Sequence, residues 1–347
     1  MPQVVEHLAE LTGFRDRDIL DVSLVGALRD LLQPTLVAIH RCVGEPGAQR
    51  WLTRARLGLH DLAASGDPLW SDLDSLPELA AHPERMACLQ GVTRVASAAG
   101  TGTPALTLFP LTTDLDVVGV LEVQTTAPLG DEAQRMVDSI LRVYRNFQGL
   151  LDYSERDTLT GLLNRKTFDD SFMRIAASAL PAPAAAGAQA GRRSAGQGGG
   201  PWLAMIDIDH FKRVNDTYGH LIGDEVLLLL SRLMRSSFRF HDHLYRFGGE
   251  EFVALIRCGQ ASDAVTAFER LRANVENYAF PRVGKITVSI GFTQVRPGDT
   301  PSGAFERADK AVYHAKQHGR NQVGDHAQLV AAGELEDESR DSDVELF

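Results

Sequence analysis

The chain has 347 residues, 44% of them hydrophobic and 23% charged, with a formal net charge of -11. That length exceeds one typical domain and predicts two, each able to bury a core, while the acidic balance argues against affinity for nucleic-acid polymers. Cys42, Cys88 and Cys258 have no metal-ligand spacing and read as reduced thiols, the opening MPQVVEHLAE lacks signal-peptide anatomy, and no apolar run approaches the ~18 residues that span a bilayer. The expectation is a cytoplasmic protein without a membrane partner.

Asp16 to Leu32 has helical spacing, with Ile19, Leu20, Leu24, Leu28 and Leu31 on one side, and Pro34 ends it. Strands are predicted over Thr35 to Val43, Trp51 to Leu59, Ala105 to Leu111 and Val117 to Val123, with Asp61 to Pro83 irregular. This order resembles a GAF sensor domain over residues 1–130, and Pro110 to Val123 (PLTTDLDVVGVLEV) carries most of the likeness. A PAS-like sensor, or a dimerisation module without a ligand, fits the same pattern. The resemblance implies a sensor ligand of unknown identity. His40, His60 and His82 read as surface or packing residues.

From Asp131 the chain turns helical, with Asp131 and Glu132 in the first turn, where acids favour the positive helix end. Val137, Ile140, Tyr144, Phe147, Leu151 and Ser154 step alternately by three and four. Such a stripe reads as the seam of a signalling coiled coil over 131–156, or as one helix packed on its own domain.

Thr167 to Ala179 is predicted helical, and the Ala/Gly/Pro stretch 180–201 is predicted to be a mobile loop without a catalytic role. Trp202 to Ile208 reads as a buried strand leading into DIDHFKRVND, and Asp224 as the start of a helix with Val226, Leu229, Leu230 and Leu233 on its apolar face. Leu244 to Phe247 and Phe252 to Ile256 form a predicted hairpin around Gly248 and Gly249, followed by the carboxylates Glu250 and Glu251. A helix over Ser262 to Tyr278, a strand over Lys285 to Thr293, a helix over Ser302 to His318 and a short strand at Gln322-Val323 complete an α+β pattern. The tail 324–347 carries seven of the eleven net negative charges and is expected to be disordered.

Five blocks in order, DTLTGLLNR (157–165), DIDHFKRVNDTYGHLIGD (207–224), RFGGEEF (246–252), VSIGF (288–292) and ADKAVYHAKQHGRN (308–321), resemble the GGDEF family of diguanylate cyclases over 157–323. The resemblance implies a palm-like fold with a central, mainly antiparallel sheet, and synthesis of cyclic di-GMP from two molecules of GTP by a homodimer. It implies that Asp207, Glu250 and the Ile208 carbonyl hold two Mg²⁺ or Mn²⁺ ions, with Glu251 a base or a further ligand. Asn215 and Asp224 match guanine-binding positions; Lys212, Lys316 and Arg320 match phosphate-binding ones. Arg239 and Asp242 match an RxxD site for inhibitory product, to which Arg270 adds a second arginine. The alternative from another class is a non-catalytic module that binds GTP or cyclic di-GMP.

Overall fold

The computed structural model describes residues 2–13, 17–44, 47–68, 71–97, 103–113, 117–178 and 199–336. It divides into two compact units, Met1–Ser154 and Glu155–Phe347.

The first unit runs α1 (Pro2–Gly13), α2 (Arg17–Leu32), β1 (Leu36–Val43), β2 (Arg50–Gly58), α3 (Pro83–Gly91), β3 (Val95–Ser97), β4 (Ala105–Thr112), β5 (Val117–Thr125) and α4 (Asp131–Glu155). Its strands form one antiparallel sheet in the order β2-β1-β5-β4-β3. Alternation along the strands divides the side chains between two faces. Val37, Ile39, Phe109, Leu111, Leu121 and Val123 pack with Leu20, Leu24 and Leu28 of α2 and with α4. On the other face Trp51, Leu108 and Val120 cluster with Cys88 of α3. That face also buries charge: Arg85 Nε donates to Glu122 Oε2 at 2.8 Å, and His40 Nε2 lies 3.5 Å from the same oxygen. His40 and Arg85 hold the Glu122 carboxyl down at about 2 although burial opposes them, and burial lowers the pKa of His40.

The α4 stripe is filled from within this unit. Val137, Ile140, Tyr144 and Leu151 are buried in its core, with Phe147 at the margin. These positions of the stripe pack on the unit's own helices and sheet. Helices α1 and α3 and strand β3 were not foreseen; α3 and β3 are short, and Pro83 at the first turn of α3 is the visible start signal.

The second unit runs β6 (Leu163–Asn164), α5 (Phe168–Ser178), β7 (Gly200–Ile208), α6 (Phe211–Tyr218), α7 (His220–Ser237), β8 (His243–Gly248), β9 (Glu251–Cys258), α8 (Ala261–Asn277), β10 (Val288–Gln294), α9 (Pro301–Gln317), β11 (Val323–Asp325) and α10 (His326–Ala331). The sheet order is β11-β10-β7-β9-β8-β6. The central pairings are antiparallel, and the outer strands β11 and β6 add in parallel. The expected α+β class with a mainly antiparallel sheet is what the unit shows. Ile206, Ile208, Phe252, Ala254, Ile290 and Phe292 face a core shared with α7 and α8. The opposite face carries α9, whose Ala304, Ala308, Ala311 and Ala315 are buried. There the helix backbone comes down onto the strand: a Cβ added at Gly291 would lie 2.2 Å from Val312 N and 2.3 Å from Ala308 O.

Three boundaries differ from the sequence reading. Helix α7 begins at His220, not Asp224, because Gly219 (φ 82°) ends α6 and the next helix starts at once. Of the predicted loop 180–201, residues 180–198 lie outside the described residues, whereas Gly200 and Pro201 already pair with Cys258 and Arg257; proline is tolerated at a strand's start. The predicted disordered tail begins as structure: Asp325 caps α10 by accepting from Ala327 N at 3.0 Å, and His326 is buried. The acids concentrate from Glu334 onward, so HAQLVAA is left to form a helix; residues 337–347 lie outside the described residues.

Candidate active site

Strand β7 ends at Ile208, and Asp207 pairs in register with Glu251, the first residue of β9. Ile208 N donates to Glu250 O at 3.4 Å. The β8–β9 turn passes through Gly249 at φ 49°, a conformation that favours glycine, and so delivers Glu250 and Glu251 to the end of β7. Because β7 and β10 alternate, Asp207 and Gly291 share the face covered by α9. Lys316, near the end of α9, reaches Asp207 with Nζ 2.7 Å from Oδ2.

Asp207 is 4% exposed, and its Oδ1 has no hydrogen-bond partner among the described residues. Burial raises its pKa, opposed by Lys316 and reinforced by Asp209 and Asp309. Glu250 and Glu251 are likewise raised, first by burial and then by the charge on Asp207. A corner with one unpaired buried carboxylate oxygen and crowded carboxylates suits a hard cation. Among the described residues no three His, Cys, Asp or Glu side chains converge as a metal cage.

The remaining expected residues fall into three places. Lys212 and Asn215 lie on α6 and Asp224 on α7, the helix pair that follows β7. Arg320 stands in a turn after α9, where Gly319, Arg320 and Asn321 all have positive φ (107°, 62° and 46°). Arg239 and Asp242 lie between α7 and β8, with Arg239 N donating to Asp242 Oδ2 at 2.8 Å. Burial pushes the Asp242 carboxyl up to about 6. Arg270 on α8 donates from Nε to the Ser237 carbonyl at 3.0 Å, so its guanidinium is held against the end of α7.

Asp209 does more than fill space, which the sequence did not convey. Its carboxylate accepts from Thr287 Oγ1 at 2.7 Å, Ser289 Oγ at 2.7 Å and Asn321 N at 3.0 Å. It thereby ties the left-handed turn that carries Arg320 to the end of β10. Its partners lie far along the chain and have no local signal.

Residues 188–322 match the family described as "Diguanylate cyclase, GGDEF domain". The chain is 36% identical over 171 residues to diguanylate cyclase DgcZ of Escherichia coli, an alignment spanning 48% of this chain and 52% of that protein. It is 42% identical over 125 residues to diguanylate cyclase A of Treponema denticola, spanning 35% and 34% respectively. The chain thus spans about half the length of the first relative and about a third of the second. Among solved structures, the GGDEF domain of DgcB from Caulobacter crescentus in complex with c-di-GMP aligns at 35% identity and a TM-score of 0.43, covering 50% of this chain and 93% of that one. The C-terminal unit of this chain carries a GGDEF domain.

Proposed function

We propose that the chain is a diguanylate cyclase, condensing two molecules of GTP to cyclic di-GMP with release of pyrophosphate. The observation that carries this reading is the corner at the end of β7: buried Asp207 with one oxygen on Lys316 and the other unpartnered, beside Glu250. The GGDEF match and the names of its relatives support the same chemistry.

In this reading Asp207, Glu250 and the Ile208 carbonyl hold Mg²⁺ or Mn²⁺, two per site. Such ions, when bound, neutralise phosphate charge and lower the pKa of an attacking hydroxyl. Lys212, Lys316 and Arg320 counter the charge of the triphosphate. Asn215 offers a donor and an acceptor to guanine, and Asp224 accepts from its ring N–H and amino group. Glu251 serves as a base or a further oxygen ligand. Each site holds one GTP, so the two-fold product needs two copies of the domain facing one another, and the active form is a homodimer. The N-terminal unit, an antiparallel sheet flanked by helices, acts as a GAF-like or PAS-like sensor. Arg239, Asp242 and Arg270 form a site at which product inhibits. The setting is cytoplasmic in this reading; among the described residues no helix is long and apolar enough to cross a membrane.

The test is incubation of the purified chain with GTP and Mg²⁺, with products separated and weighed by mass spectrometry. Cyclic di-GMP and pyrophosphate are expected. Binding of GTP without turnover would instead identify a non-catalytic module, and a mixed product from GTP plus ATP would identify an enzyme of relaxed base choice.

A further inference from the structure

Gly223 sits in the opening turn of α7, buried, one residue before Asp224. Nothing in its backbone asks for glycine, because it is helical, and alanine is the better helix former. What asks for glycine is a side chain on the preceding helix. A Cβ added at Gly223 would lie 2.0 Å from Asn215 Oδ1 and 3.1 Å from Asn215 Cγ. Its other neighbour, Phe211 Cζ, would stand at an ordinary 3.4 Å. The Asn215 carboxamide thus rests in the space that a methyl group would fill.

We infer that Gly223 is a positioning residue for base choice: lacking a side chain, it seats the Asn215 carboxamide beside Asp224, so that the two groups meet one guanine edge together. The inference rests on the reading of this site as a GTP site. Two features make the effect specific to recognition. The Asn215 backbone is fixed, since its carbonyl accepts from Gly219 N at 2.9 Å and closes α6. An alanine at 223 therefore cannot shift the helix turn easily, but it can turn the amide about its side-chain torsions into another rotamer. The polar tip moves and the hydrophobic packing around Phe211 stays. Gly223 touches no substrate in this account; it acts through Asn215.

The experiment uses the full chain with Mg²⁺ and two probes that lack the attacking hydroxyl, 3′-deoxy-GTP and 3′-deoxy-ATP. Gly223→Ala is expected to weaken the guanine probe by about tenfold, the scale of one lost base contact, and to leave the weak binding of the adenine probe unchanged. Asn215→Ala should lose a similar factor, and the double variant should lose no more than either single one. The thermal midpoint of Gly223→Ala should stay with the wild type. Wild-type affinity in Gly223→Ala, or a second tenfold loss when it is added to Asn215→Ala, overturns the inference. If Gly223→Ala does not fold, the double variant, from which the clashing amide is gone, should fold; failure of both also overturns it. A wild type that ignores both probes defeats the nucleotide reading itself, and this inference with it.

Discussion

The guanidinium of Arg246 donates from Nη1 to both carboxylate oxygens of Asp157, at 3.1 and 3.3 Å. The same group donates from Nε and Nη2 to the Gly249 carbonyl, at 3.3 and 3.0 Å. Asp157 in turn accepts from Thr160 N and Thr160 Oγ1, at 2.8 and 2.7 Å. One planar fork therefore joins the turn that opens the C-terminal unit to the turn that presents Glu250.

Arg246→Ala should cost about 1–3 kcal/mol of stability, since it strands a partly buried carboxylate and frees a turn carbonyl. Activity should fall by more than about tenfold, because Glu250 is placed by that turn. Arg246→Lys keeps the charge but not the fork and should fall between. Denaturant titration and initial rates check both; an alanine variant with wild-type rates would show that the turn holds itself.

The carboxylate corner yields a prediction of opposite sign for stability and activity. Burial and the Asp207 charge raise the pKa of Glu250. Its ionised form therefore costs stability as pH rises through the folded pKa, and an amide in its place escapes that cost. Glu250→Gln should hold or raise the thermal midpoint at pH 7.5 while reducing cyclic di-GMP formation by more than about a hundredfold. Asp207→Asn should lose activity similarly, and because burial raises the Asp207 carboxyl too, against the pull of Lys316, its midpoint should likewise hold at pH 7.5. Midpoints lowered in both variants would count against this electrostatic account.

In the N-terminal unit the sign runs the other way. The Glu122 carboxyl is held at about 2 against an ordinary 4.5, so its contribution is present above pH 4.5 and is lost as pH falls toward 2. That shift corresponds to roughly 3 kcal/mol. His40, lowered by burial, must gain its proton more readily when unfolded, so stability also begins to fall as pH drops through the ordinary histidine value of 6.5. Urea melts followed at the fluorescence of Trp51 should show a two-stage acid loss, and Glu122→Gln should abolish the lower stage. An unchanged lower stage would place the acid sensitivity elsewhere.

Product feedback through Arg239 and Asp242 should itself depend on pH. To accept a proton donor from guanine, Asp242 must be ionised, and burial sets its carboxyl at about 6. Progress curves with added cyclic di-GMP should show strong inhibition at pH 7.5 and weak inhibition at pH 5.5. Arg239→Ala should relieve inhibition at both values with little change in initial rate. Equal inhibition of wild type and variant would leave the pair a structural turn, held by the Arg239 N to Asp242 hydrogen bond.

Where residues act through near neighbours, the sequence was readable. RFGGEEF announced a hairpin tip, and Trp202 to Ile208 a buried strand leading into DID; the structure brings them together as Asp207 opposite Glu251. The stripe Val137, Ile140, Tyr144 and Leu151 was legible as a helix face, but not the core it enters, because a periodic pattern names a face and not its partner. Asp209 shows the same limit: Thr287, Ser289 and Asn321 reach it from the far end of the unit. The start of β7 was hidden by composition, since Gly200 and Pro201 look like the loop they follow and are drawn into the ladder by Cys258 and Arg257. Short α3 and α10 lacked enough turns to show a period.

Gly291 sets a distance. Where α9 crosses β10, peptide atoms meet peptide atoms, so the gap between helix and sheet is fixed by groups that cannot change rotamer. Where an added methyl group meets only flexible side chains, those neighbours can absorb it; here the whole helix must rise. Lys316 lies one turn beyond the contact at Val312, and Arg320 follows the helix end, so both charges would be lifted together, away from Asp207. The crossing behaves as a gauge for the reach of a lysine, and a substitution there would register as altered chemistry at a site it never touches.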